Sequence, residues 1–271
     1  MVCALGDLLL DVIVRVEGPV AADTDTYGRT RAAPGGQAAN VAAWVAALGG
    51  HARFLGKRAR DAAGRILVEE LARRGVEIAG PEVEAGTGTV VSLTDTAGGR
   101  TMLTDRGVAP DLRSDELDPG WLAGVTRLHL PAYSLVREPI REAALAAADA
   151  ARAARAAISV DLSATRVIAD AGADRFRRLV EGVSPDVIFA TDAEAALLEP
   201  LDAPTIVVKR GAEGCIVRTG EYRRAYPAEP ADVVDATGAG DAFAAGFLLG
   251  GPDLALRAAA RCVATMGAFP P

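Results

Sequence analysis

The spacing of apolar residues changes period several times along the chain. Val2 to Leu5 is a short unbroken apolar run ending at Gly6-Asp7, the pattern of a buried strand whose C-terminal end opens toward a site. Asp11 to Val16 then alternates, and Thr26 to Ala32 is polar and extended. Val90 to Thr94 and Thr101 to Thr104 flank a turn containing Ala97-Gly98-Gly99. Together these segments predict a small antiparallel sheet made from two separate insertions.

The rest of the chain alternates differently. Ala38 to Leu48 has helical spacing and stops at Gly49-Gly50, and Asp61 is placed to cap a helix that runs to Arg74 and ends at Gly75. Leu128 to Leu130, Ile158 to Val160, Val187 to Phe189 and Ile206 to Val208 are short apolar or β-branched runs, separated by helical stretches such as Pro139 to Ala157 and Ala171 to Val180. This βαβ rhythm predicts an α/β fold: a mostly parallel, doubly wound sheet in three α/β/α layers, with ligands at the strands' carboxyl ends. The expected division puts residues 1–9, 33–84 and 106–271 in the α/β core and residues 10–32 and 85–105 in the small sheet.

Composition narrows the function classes. With 271 residues, half apolar and a quarter charged, the chain suits one large domain with a small attachment. No apolar run approaches the roughly 18 residues a spanning helix needs, and the N-terminus has neither a basic n-region nor a small-residue cleavage site, so we expect no membrane partner and a cytoplasmic protein. Cys3, Cys215 and Cys262 are too widely spaced for a disulfide framework or a C-x-x-C site. His51 and His129 are too few for a His-rich metal cluster or a Ser-His-Asp triad. The net charge of −7, with 27 arginines against only Lys57 and Lys209, includes no basic run of nucleic-acid type.

The stretch from Val233 to Phe247, VVDATGAGDAFAAGF, carries the most chemistry. Small residues let a turn approach an anion closely, and a helix beginning near Ala239 aims unpaired N–H groups at the same spot, forming a phosphate cradle. Asp241 falls in the first helical turn, where the dipole favours a carboxylate able to accept a hydroxyl proton. The spacing is not the G-x-G-x-x-G of dinucleotide sites. A Walker loop also fails, because Arg58 follows Gly56-Lys57 where a hydroxyl residue is required. A second cluster, Pro34-Gly35-Gly36-Gln37-Ala38-Ala39-Asn40, offers exposed backbone and an amide suited to a polyol or ribose.

Gly35-Gly36-x3-Asn40 followed by Gly49, and Asp235-x-Thr237-Gly238-Ala239-Gly240-Asp241 about 200 residues later, together resemble the two signatures of the ribokinase (PfkB) family of carbohydrate and nucleoside kinases. Gly6, Asp11 and Lys209-Arg210-Gly211-Ala212-Glu213-Gly214 extend the resemblance over nearly the whole chain. It implies a ribokinase-like fold in which the core binds nucleotide and the small sheet is a lid over the acceptor. It also implies Asp241 as base, with the N–H groups of Gly238, Ala239 and Gly240 as anion hole. Asp11, Gly35, Gly36 and Asn40 would bind acceptor hydroxyls. Lys209, Gly211, Gly214 and Thr237 would lie near ATP, and Glu194 would hold Mg²⁺ through water. A monovalent cation and a homodimer through the lid are left open by the resemblance. Two departures stand out: Thr191 replaces the Asn of an Asn-x-x-Glu motif, and Ala236 stands where a hydroxyl residue, proline or valine is common.

In-line phosphoryl transfer needs a base, donors on the migrating group and a cation, and the residues above supply these roles for a small sugar as acceptor. A nucleoside acceptor is the first rival, although six Phe, four Tyr and two Trp offer limited stacking for a base. A non-catalytic sugar-binding relative is the second, and an intact Asp241 argues against it.

Overall fold

The structure is a computed structural model that describes residues 1–95 and 99–271; Ala97 and Gly98 of the expected turn lie outside the described residues. The chain opens with β1 (Val2–Leu5), β2 (Leu9–Val16), β3 (Gly28–Gly35), α1 (Gln37–Ala47), β4 (Ala52–Leu55) and β5 (Arg58–Ala59). Then come α2 (Ala62–Arg73), β6 (Glu77–Ala79), β7 (Glu82–Val83), β8 (Thr87–Thr94) and β9 (Arg100–Gly107). The second half contains β10 (Arg127–Pro131), α3 (Tyr133–Val136), α4 (Ile140–Ala153), β11 (Ala157–Asp161), α5 (Thr165–Ala171) and α6 (Ala173–Gly182). It ends with β12 (Val187–Thr191), α7 (Asp192–Leu198), β13 (Thr205–Lys209), β14 (Cys215–Thr219), β15 (Tyr222–Tyr226) and α8 (Ala239–Val263).

Nine strands form one sheet in the order β15-β14-β13-β12-β11-β10-β1-β4-β6, parallel from β13 through β6 and antiparallel where β14 and β15 are added. Its inner strands are apolar on both faces, as a sheet covered twice must be. Cys3 and Leu5 of β1 join the core beneath α3 to α7, while Val2 and Ala4 join the core beneath α1, α2 and α8. The same alternation separates Ile206 and Val208 from Val207 in β13. Asp61 caps α2 by accepting the Gly64 N–H at 2.7 Å. The helix expected from Pro139 to Ala157 stops at Ala153, because Arg155 takes a left-handed φ of 61° and the chain turns into β11. In α8 the helical path breaks at Gly250 and Gly251, and Pro252, which lacks an N–H to donate, starts the second segment.

The second sheet has the order β3-β2-β8-β9. Each hairpin is antiparallel, and the seam between them, β2 against β8, is parallel because the two insertions leave the core in the same direction. The strands begin at Leu9 and run to Gly35 and Gly107, a few residues beyond the expected bounds of 10, 32 and 105. Pro34 is accommodated because β3 is an edge strand. Arg106 in β9 pairs with Asp7 just beyond β1, and Arg31 in β3 donates to the Met266 carbonyl at 3.3 Å, so both outer strands are tied to the core.

Trp44 of α1 is fully buried, and its Nε1–H donates to the Ala268 carbonyl at 2.8 Å. That bond pins the C-terminal segment where Ala268 packs on Gly238 at the start of α8. Trp44→Phe keeps most of the apolar volume but strands the carbonyl, and should lower the unfolding free energy by about 1–3 kcal/mol in urea denaturation. An unchanged midpoint would mean that another donor reaches Ala268.

Candidate active site

A cleft of about 960 Å³ opens at the carboxyl ends of the parallel strands, between the core and the small sheet. Leu9, Asp11, Val90, Met102 and Thr104 line it from the small sheet, and the loops after β13 and before α8 close its other end.

Asp241 lies in the first turn of α8, only 9 % exposed, and its Oδ2 accepts a hydrogen bond from Asn40 Nδ2 at 2.7 Å. Burial is the main reason its carboxyl is pushed up to about 8, with the charges of Asp161 and Asp7 adding to the effect. The Asn40 amide and the Lys209 ammonium act in the opposite direction. Asn40 Oδ1 is buried with no partner among the described residues. Expected to bind an acceptor hydroxyl, Asn40 has one amide N–H on the carboxyl of Asp241 and keeps its oxygen and its second N–H for another group.

The turn ahead of Asp241 is built by Asp235. Its Oδ1 accepts from the Thr237 N–H at 3.0 Å and the Thr237 hydroxyl at 2.6 Å, and its Oδ2 accepts from the Gly267 N–H at 3.0 Å. Gly238 then caps α8 with φ 76°, and a Cβ there would come within 2.5 Å of Ala268, so neither conformation nor space admits a side chain. Of the three expected anion-hole donors, the Ala239 N–H donates to the Ala236 carbonyl at 3.3 Å. Thr237 lines the cleft with its hydroxyl directed to Asp235.

Gly36, Asp11, Gly211, Gly214, Glu194 and Lys209 all line the same cleft. Gly35 does not: a Cβ there would fall 2.2 Å from the Asp11 carboxyl, so Gly35 makes room for Asp11. Glu194 is buried, and its Oε2 accepts the Thr191 N–H at 2.8 Å while Thr191 Oγ1 accepts the Glu194 N–H at 3.3 Å. This capping box gives Thr191 a local role at the start of α7. Burial raises the Glu194 carboxyl above its ordinary value despite that bond.

The sequence patterns gave no site role to Asp7 or Gln37 and did not single out Arg106, Tyr133 or Ser163, all of which also line the cleft. Asp7 accepts from the Gln37 N–H at 3.1 Å and pairs with Arg106, whose guanidinium lies 3.7 Å from the centre of the Tyr133 ring. Asp7 could have been suspected from its place at the end of β1. Arg106 could not, since its partner is 99 residues away.

A mostly parallel sheet between helices, with a glycine turn and an acidic first helical turn facing a smaller sheet, defines the ribokinase-like class. The model of the family described as pfkB family carbohydrate kinase matches residues 1–269, and the chain belongs to that family. It is a phosphotransferase with an alcohol group as acceptor. Fructokinase-1 of Oryza sativa subsp. japonica is 30% identical over 267 residues, which cover 92% of this chain and 82% of that protein. Adenosine kinase from Sinorhizobium meliloti superposes with a TM-score of 0.87 at 26% identity, covering 99% of this chain and 95% of that one. A putative Ribokinase II from E. coli, in complex with ATP and Mg²⁺, gives a TM-score of 0.84 at 22% identity, with 98% and 94% coverage, a likeness of fold. No helix among the described residues is long and apolar enough to cross a membrane.

The raised Asp241 carboxyl has a consequence for stability. Its folded value of about 8 lies above the ordinary carboxylate value, so its contribution is fully present below about 4 and is lost as pH rises through about 8. Asp241→Asn removes that loss. In the absence of ligand, the Tm of the variant minus that of the wild type should therefore rise between pH 4 and 8. A flat difference would show that Asp241 is ionised throughout.

Proposed function

We propose that the protein transfers the γ-phosphoryl group of ATP to a hydroxyl of a small sugar. The observation that carries this reading is the buried Asp241 carboxyl, held by Asn40 in the first turn of α8, one residue beyond the Gly238–Gly240 turn and inside a cleft large enough for two substrates. In the transfer, the acceptor oxygen forms a bond to phosphorus as the bond from phosphorus to the bridging oxygen breaks. The electron pair leaves on ADP, and the hydroxyl proton goes to Asp241 in its ionised form, which the Asn40 amide and the Lys209 ammonium favour against burial. The Gly238–Gly240 turn and the α8 dipole would face the migrating group and offset the charge that develops on it.

ATP as donor is supported by the ATP and Mg²⁺ complex of the Ribokinase II neighbour. Mg²⁺ is usually held by one or two carboxylates plus substrate phosphates and keeps several waters. The cleft fits that mode: the described residues include no cluster of three His, Cys, Asp or Glu groups that could cage an ion, and Glu194 contributes a buried carboxyl to the lining. Glu194 would hold the ion through water, and the ion would offset phosphate charge.

A sugar acceptor is supported by the fructokinase relative, and a nucleoside acceptor, the second reading, by the adenosine kinase neighbour. ADP release measured over a panel of sugars and nucleosides separates the two. With the best acceptor, Asp241→Asn should keep its fold and ATP affinity while kcat falls by about 10² to 10⁴, the usual worth of a positioned base. Near wild-type turnover would take Asp241 out of the mechanism.

The small sheet serves, in this reading, as a lid over the acceptor. Its inner face contributes Asp11 and Thr104 to the cleft, while Val12, Val14, Val91, Leu93 and the exposed Leu103 alternate onto the outer face, where a second copy would pair. Closure would exclude water that competes with the sugar hydroxyl. Hydrogen exchange with acceptor added should then slow in β2, β3, β8 and β9 together, with little change from β13 to Gly214. Protection confined to the core, or to one hairpin, would count against a lid.

A further inference from the structure

Three adjacent strands of the large sheet end at the cleft with polar side chains on the face covered by α1 and α8. Asp161 ends β11, Thr191 ends β12 and Lys209 ends β13, with Phe189 of β12 opposite Asp161 and Thr191 opposite Lys209. Lys209 reaches across β12, and its Nζ donates to Asp161 Oδ2 at 2.6 Å. Two strand spacings amount to roughly 10 Å, a span that needs a long side chain. The pair is almost wholly buried, with side-chain exposures of 15% for Lys209 and 2% for Asp161.

Asp161 is fixed at its other oxygen as well. Oδ1 accepts the Ser163 N–H at 2.9 Å, and Ser163 holds a φ of 72°, a left-handed conformation that side-chain-bearing residues seldom adopt. The Ser163 hydroxyl in turn donates to Gln37 Oε1 at 2.8 Å and accepts the Ala132 N–H at 3.1 Å. The ammonium so held rests against the glycine turn, since a Cβ on Gly240 would lie 3.3 Å from Nζ. Burial opposes the charge on Lys209, but Asp161, Glu194 and Asp241 outweigh it and raise the ammonium above its ordinary value. A buried ion pair is a poor stabiliser compared with apolar residues of the same volume, so this arrangement calls for a role beyond folding.

We propose that Lys209 is a catalytic residue whose charge bears on the migrating phosphoryl group at the Gly238–Gly240 turn, and that Asp161 is the positioning residue that holds it there. The proposal rests on the ATP-dependent reading above. Lys209 neither gives nor takes a proton in the step: the hydroxyl proton goes to Asp241, the electron pair leaves with ADP, and the ammonium offsets charge on the phosphoryl oxygens. Its place beside Gly240, next to the base, directs it to the group in transfer.

Calorimetric titration with ATP and with ADP, each with Mg²⁺ and without acceptor, tests this in the wild type, Asp161→Asn, Lys209→Met and the double variant. The double variant removes both charges, and remains informative should Lys209→Met, which strands a buried carboxylate, fail to fold. The wild type should bind ATP more tightly than ADP. Asp161→Asn should reduce that preference at least threefold, and the double variant should match Lys209→Met. With the best acceptor from the panel, Asp161→Asn should lower kcat about tenfold and leave the acceptor KM within twofold. An unchanged ATP preference in Asp161→Asn and the double variant would overturn the proposal while leaving the kinase reading intact. Multiplying effects in the double variant would overturn the positioning role, and a wild type that binds neither nucleotide would overturn both readings.

Discussion

Taking the carboxyl of Asp241 out of water is the constraint around which the cleft is organised. An isolated ionised carboxylate cannot be buried without compensation, and the available compensation comes from elements distant in sequence. Asn40 is supplied by α1, 201 residues earlier, and Lys209 by the end of β13. Asn40 can reach Asp241 only if α1 and α8 pack on the same face of the sheet, as their shared core shows, while Lys209 acts on it through its charge. The packing of Ala38, Ala42 and Val45 with Ala242, Ala245 and Leu248 in that core is thus also the means by which an amide meets a carboxyl.

A second constraint ties the small sheet to the same place. Arg106 lies two residues past Thr104, which faces the cleft, and pairs with Asp7 at the end of β1. Asp7 also accepts from the backbone of Gln37 at the start of α1. One carboxylate therefore joins the small sheet, the central strand region and the helix that carries Asn40. A charge pair buried to this extent is costly to break, so it fixes this edge of the small sheet against the core.

Charge is handled the same way throughout the cleft: each cation that lines it among the described residues has a carboxylate partner, Arg106 with Asp7 and Lys209 with Asp161. Such pairing keeps the cleft from presenting a bare cation while leaving both cations close to where polar substrates would lie. It also raises the Asp241 carboxyl, because Asp161 and Asp7 add negative charge nearby.

Local chemistry written in the chain determined a good deal. The run Val2–Leu5, the Asp61 cap, and the glycines of the turn before α8 depend on backbone geometry and near-neighbour bonds, so they could be read one segment at a time. The alternation of strands and helices similarly implied a sheet with its ligands at the carboxyl ends. Tertiary structure decided the rest. Only the fold shows that Asn40 serves Asp241, that Gly35 yields space to Asp11, that Thr191 and Glu194 cap α7, and that Lys209 meets Asp161. Thr191 and Glu194 are near neighbours, and burial decided whether the carboxyl faced the cleft. The others join residues tens to hundreds of positions apart, where periodicity and propensity carry no information about which side chains come within 3 Å.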